Sequence, residues 1–296
     1  MGTIMTRYVQ RMCRLVTGSP KHKEMWWFQQ GMCILPVSLV IWTSASFAFA
    51  YITAVLLDHV DPLVPYISDT GAEAPERCVF GIMLNISAFL GIATTYVRYK
   101  QVQALTDAGE TKLHRLNLVG VVLGWTSSLG MCVVGNFQKT TIFSVHVAGA
   151  IMTFGVGALY IMVQTGVSYY MQPHVHAKAM FWARFGVGAW STASSISMFV
   201  ASMIMYSSLP GVDLSKKLHW IPGETGYTAH LISTISEWSL AFSFVCFFFT
   251  YIRDFQKINL RAEAVLQSNH LYESTRYGVI GPLNPTESSP LLAGSI

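Results

Sequence analysis

The stretch that decides the fold is ISTISEWSLAFSFVCFFF, residues 232–249. With its flanks it forms an apolar run over 231–252, which at 1.5 Å per residue is long enough for a hydrocarbon core about 30 Å thick. It carries one carboxylate, Glu237, followed at once by Trp238. A charge facing lipid costs about 2.5–3.5 kcal/mol or more, so such groups turn inward and take partners. The segment therefore reads as one helix of a bundle, with Glu237 on an inner face.

The rest of the chain agrees. Of its 296 residues 52% are hydrophobic and 11% charged, where a soluble domain carries about 25% charge. The expected class is all-α: a polytopic membrane protein with a six-helix transmembrane bundle. Spans are expected at 33–57, 79–97, 116–134, 141–163, 185–206 and 231–252, each near the length a bilayer requires. The net charge of +4 is small and spread over loops, which argues against nucleic-acid binding. The five cysteines, Cys13, Cys33, Cys78, Cys132 and Cys246, show no C-x-x-C pair and no zinc spacing.

Orientation follows from Lys and Arg in the loops. Arg7, Arg11, Arg14, Lys21 and Lys23 precede the first span; Arg98, Lys100, Lys112 and Arg115 follow the second; Lys178 and Arg184 precede the fifth; and Arg253, Lys257, Arg261 and Arg276 follow the sixth. The alternate loops hold only Arg77, Lys139, Lys216 and Lys217. Both termini are therefore expected in the cytosol. The division is a basic extension over 1–24, a membrane domain over 25–258 and a largely disordered tail over 259–296. The long loops 58–77 and 207–230 should form a small luminal cap. Cys78 and Cys132 fall on that side, which leaves a disulfide between them open.

Soluble-enzyme signatures are missing. There is no P-loop, no G-x-S-x-G, no H-E-x-x-H and no complete G-x-G-x-x-G. No catalytic residue, cofactor or metal site is expected; His174 and His176 lack further ligands. The informative residues are polar groups inside the spans. Glu237, the sole acid there, falls in the luminal half with His146, Asn85 and Asn136. These four are expected to form an intramembrane polar cluster open to the lumen. Two roles remain open: a hydrogen-bond network that sets helix register, or a proton-sensing or headgroup-binding pocket. Small residues, including Gly120-x-x-x-Gly124 and Gly149, Gly155 and Gly157, suit close packing within one bundle.

The tail adds another kind of motif. Glu287-Ser-Ser-Pro-Leu291-Leu292 has the acidic-dileucine form and Tyr277-Gly-Val-Ile280 the tyrosine-based form. Clathrin adaptors read both as sorting signals when they lie in flexible cytosolic segments. The opening Met-Gly-Thr-Ile-Met-Thr fits the myristoylation pattern, against the plainer reading of 1–24 as a basic extension.

Several longer strings point the same way: MWWFQQG (25–31), VIWTSA (40–45), PYISDTG (65–71), YVRYKQV (96–102), NFQKTT (136–141), KLHW (217–220), EWS (237–239) and YIRDFQKI (251–258). With them the chain resembles the DNA-damage-regulated autophagy modulator family, whose pattern starts at Met25. The resemblance implies six transmembrane helices and residence in the lysosomal membrane, with endosomal or plasma membrane as further locations. It also implies a positive, non-catalytic role in autophagy and a link to apoptosis, with the bilayer and the autophagy machinery as partners. The alternatives are a lipid-binding or lipid-remodelling protein and a proton-coupled transporter using Glu237 and His146.

Overall fold

A computed structural model describes residues 31–107, 109–172 and 177–259. Six helices among them are long and apolar enough to cross a membrane. They are α1 (Ile34–Leu56), α2 (Glu76–Ala104), α3 (Thr111–Asn136), α4 (Phe143–Tyr170), α5 (Lys178–Ser208) and α6 (Tyr227–Phe249), the last continued after Thr250 by the short α7 (Tyr251–Phe255). No strand occurs among the described residues. Together with their apolar surfaces, these helices make this a multi-pass membrane protein.

Each helix packs on its neighbours in sequence, and α6 returns against α1 to close the ring. An even number of spans brings both ends of the described chain to one face. There Met32 N–H donates to Phe255 C=O at 3.0 Å. Gly31, at φ +59°, makes this possible: a Cβ would lie 2.6–2.8 Å from the carbonyl oxygens of Phe255, Gln256 and Ile258. We call this end the terminal face and the opposite end, which carries the loops 57–75 and 209–226, the loop face. One apolar core, around Tyr160, Phe247, Tyr251 and Phe255, fills the half nearer the terminal face. A second, around Ile67, Phe80, Phe154, Met198 and Leu240, fills the other half.

The close-packing glycines act within the chain. A Cβ on Gly120 would meet Gln164 Nε2 at 2.6 Å, and one on Gly124 would meet Thr95 Cγ2 at 2.5 Å. Small residues here let α3 lie directly against α4 and α2. Cys78 and Cys132 are both free thiols, so the disulfide left open above is not formed.

Several helices run past the expected apolar spans, and the excess is charged. The 29 residues of α2 rise about 43 Å, well beyond a hydrocarbon core of about 30 Å. Hydropathy ends the second span at Val97, yet α2 continues through Arg98, which is 0% exposed. Arg184, expected in a loop, is equally buried within α5, and Asp254 lies in α7 beside both. Glu237 is thus not the sole acid on the spanning helices: Glu76 opens α2 and Asp254 ends the sixth span. The helix can carry these charges because each finds a partner.

Candidate functional site

On the loop face, the first long loop dips into the bundle and α6 holds it there. Glu237 Oε2 accepts from Ile67 N–H at 2.7 Å. The adjacent Trp238 donates from Nε1–H to Pro65 C=O, also at 2.7 Å. The Glu-Trp pair therefore clamps two backbone groups of a segment that would otherwise be buried without secondary-structure partners. The loop then makes a 3-10 turn, Asp69–Gly71, whose residues are all buried.

Asp69 is 1% exposed and pairs with Lys139, from the short α3–α4 connection, at 2.7 Å. Burial pushes the Asp69 carboxyl above its ordinary value, and the Lys139 ammonium opposes that rise. Lys139 also lies over the Tyr66 ring, 5.4 Å from its centre. The Tyr66 hydroxyl sits 3.1 Å from Ser202 Oγ, and burial pushes it up as well. Ser233 on α6 donates to Met198 C=O at 3.0 Å, and its Oγ lies 3.4 Å from Ser202 Oγ. His146, on the first turn of α4, donates from Nδ1–H to Phe137 C=O at 2.7 Å.

Part of this network lines one end of a cavity of about 380 Å³. Tyr66, Lys139, His146, Ser202 and Glu237 form its polar end, and Phe154, Phe199 and Met203 are among its apolar walls. Glu237, Ser68 and Phe154 also line a smaller cavity of about 70 Å³ toward α1. The two loops meet above: Asp61 accepts from Trp220 N–H at 2.6 Å and lies 3.1 Å from His219 Nδ1. His230 stacks on the Trp220 ring at 4.2 Å.

The four polar residues expected to cluster divide into two pairs. Glu237 and His146 share the cavity. Asn85 and Asn136 instead bond each other, at 2.8 and 3.3 Å, and tie α2 to α3 away from it. Sequence reasoning missed Lys139, Asp69, Tyr66 and Ser202. Lys139 left one trace: it is the only cation between the third and fourth spans, and a lone cation at that depth needs an acid. The acidic first loop supplies it. The tail residues Tyr277, Ile280, Glu287, Leu291 and Leu292 lie outside the described residues, as do 1–24 and His174 and His176.

The terminal face holds a second polar cluster. Arg184 donates to Thr250 Oγ1 at 3.0 Å, Ser168 Oγ at 2.7 Å, Thr250 C=O at 3.3 Å and Asp254 Oδ2 at 2.7 Å. Arg98 donates to Gln101 Oε1 at 2.7 Å and Gln164 Oε1 at 3.4 Å, and lies 3.6 Å from Asp254. Both guanidinium groups cover the Tyr251 ring, 5.0–5.3 Å from its centre.

Comparison with known proteins places this architecture among relatives. The family model described as the Frag1/DRAM/Sfk1/Cwh43P N-terminal domain matches residues 31–258. The chain is 57% identical over 250 residues to human DNA damage-regulated autophagy modulator protein 2, covering 84% of this chain and 94% of that protein. It is 41% identical over 234 residues to human DNA damage-regulated autophagy modulator protein 1, covering 79% and 95%. It is 31% identical over 245 residues to the Danio rerio protein named modulator of macroautophagy TMEM150B, covering 80% and 93%. No solved structure matches it.

Proposed function

Because the chain belongs to the Frag1/DRAM/Sfk1/Cwh43P family, we infer that it is a multi-pass membrane protein that regulates autophagy. The observation that carries this reading is 57% identity to a protein named as an autophagy modulator, over nearly all of that protein's length. The regulation is positive and links autophagy to apoptosis. The protein works without catalysis, through the autophagy machinery and the surrounding bilayer.

Its place is the lysosomal membrane, with both termini in the cytosol. The loop bias in Lys and Arg supports the orientation. The dileucine Leu291-Leu292 with Glu287, and Tyr277 with Ile280, support delivery by clathrin adaptors that bind the tail.

The test is re-expression in cells from which the protein has been deleted. Restored turnover of lipidated autophagosome marker is the expected result; unchanged flux at normal expression would refute the regulator role. Leu291→Ala with Leu292→Ala should move the protein from lysosomes to the plasma membrane. Unchanged lysosomal residence of that variant, also with Tyr277→Ala, would remove the adaptors from the account.

A further inference from the structure

We propose that the cavity between α4 and α5 binds a single-chain amphiphile with a cationic, hydrogen-bond-donating head, such as a long-chain amine or amino alcohol, entering from the bilayer. This site goes beyond the regulatory role and stands without it.

The shape supplies a chain-sized slot. The second half of α4 packs along α5, whereas its first half stands off from it. The helix makes a π-turn over Ile151–Val156, at the depth where the two part. Between them Val147, Ala150, Ile151, Phe154, Phe199 and Met203 line the apolar part of the cavity. Its 380 Å³ sits at the small end of the roughly 300–1,000 Å³ typical of ligand sites. Such a volume suits one alkyl chain better than a two-chain lipid.

The route is sideways. At the loop face the Phe143 and Tyr206 rings approach to 5.3 Å and roof the cleft. On the outer surface of the bundle, Ile151 is 49% and Met203 72% exposed, and both also line the cavity. They are lips that open toward acyl chains rather than water.

The head end selects by charge and by hydrogen bonding. Only one Glu237 oxygen is used, by Ile67 N–H; Oε1 has no hydrogen-bond partner among the described residues. His146 gives its Nδ1–H to a carbonyl, which can only accept, so in the neutral ring Nε2 is an acceptor. Nε2 also has no partner among the described residues. Both residues line the same cavity, and each keeps one acceptor without a donor among the described residues. The one cation there, Lys139, is already paired with Asp69 at 2.7 Å. An anionic head would meet the Glu237 carboxyl, while the single ammonium in the lining is already engaged by Asp69. An ammonium head meets the free Glu237 oxygen, His146 Nε2 and the hydroxyl pair of Tyr66 and Ser202. An ammonium beside Glu237 favours the ionised carboxylate, and the charge-assisted bond so formed is roughly twice as strong as a neutral one, so the amine should be preferred to an alcohol and to an acid.

The experiment uses the full chain in lipid nanodiscs with dodecylamine bearing a terminal diazirine, followed by photolysis and peptide mapping. Unlabelled dodecylamine, dodecanol and laurate compete, sharing one chain and differing only in the head. The expected result is labelling concentrated on α4 and α5 around Ile151 and Met203, with dodecylamine competing at least about tenfold better than laurate, as one charge-assisted bond implies. Glu237→Gln keeps an oxygen for Ile67 N–H and should erase the amine preference while dodecanol still competes. Met203→Trp fills the mouth and should cut labelling about tenfold with an unchanged elution profile. If it does not fold, Ala150→Phe repeats the obstruction from inside the slot. Labelling spread evenly over all six helices, equal competition by laurate, or an amine preference that survives Glu237→Gln would each overturn the proposal.

Discussion

The two faces of the bundle bury charge in opposite ways. At the terminal face, Arg184 uses every nitrogen of its fork, and Arg98 and Arg184 close over one tyrosine ring. Chain, helix end and side chains meet there without open space around the guanidinium groups, both 0% exposed. At the loop face, Lys139 and Asp69 also pair, but Lys139 lines a cavity together with Glu237 and His146, each of which keeps an acceptor without a donor among the described residues. The same burial physics gives a fastener at one end and a receptive wall at the other. What separates them is whether each polar group's bonds are completed by the protein itself.

The comparison breaks most visibly at Arg184. Arg184→Met leaves Asp254 short of a partner and removes four hydrogen bonds. A loss of about 4 kcal/mol is expected, in the range for breaking a buried pair from one side, measured by denaturant titration in mixed micelles. Arg184→Lys should recover only part, because an ammonium cannot serve four acceptors in a plane. A loss below about 1 kcal/mol would show that the cluster is not a fastener.

Lys139→Met should cost somewhat less, about 3 kcal/mol, since it strands Asp69. Here the double variant with Asp69→Leu sharpens the contrast. It should regain most of that loss, as both charges leave together. If the double variant is as unstable as the single one, the pair does more than neutralise itself.

Smaller again is the surface pair. Asn136→Ala removes the reciprocal bond to Asn85 and should cost about 1 kcal/mol or less, the usual worth of a hydrogen bond between membrane helices. It should leave amphiphile labelling in the cleft unchanged, because the pair does not line that cavity.

The smallest effect is a pH dependence from Asp69. Burial raises its carboxyl above the ordinary value, so over part of the range the folded state holds a proton that the unfolded chain has released. Stability then falls as pH rises and recovers on acidification. Lowering pH from neutral toward the ordinary carboxylate pKa, about 4, should therefore favour the wild type over Asp69→Asn in thermal unfolding. The opposite trend would mean that the Lys139 attraction outweighs burial.

Legibility in the sequence tracked the range of each interaction. The six spans could be read because lipid acts on each residue alone, so a window of apolar side chains is enough to mark one. Their ends could not. Arg98 and Arg184 counted as loop charges by type, and only partners on α4 and α7, such as Gln164, Ser168 and Asp254, let the helices continue through them. The Glu237–Trp238 pair stood out as an anomaly, but its partners, Ile67 N–H and Pro65 C=O, are backbone groups that leave no mark in composition. Asn85 and Asn136 matched in depth with Glu237 and His146, yet lie elsewhere around the ring.

By itself, then, the sequence determined that the chain folds as apolar helices in a membrane, how many there are, and that one carboxylate among them must face inward. The solvent imposes that residue by residue. Which groups face Glu237, that Lys139 is spent on Asp69, and that a cleft opens between α4 and α5 were decided only by the tertiary structure. Depth along a helix is written in the order of residues, but the rotation of one helix against another is set by packing between segments far apart in the chain.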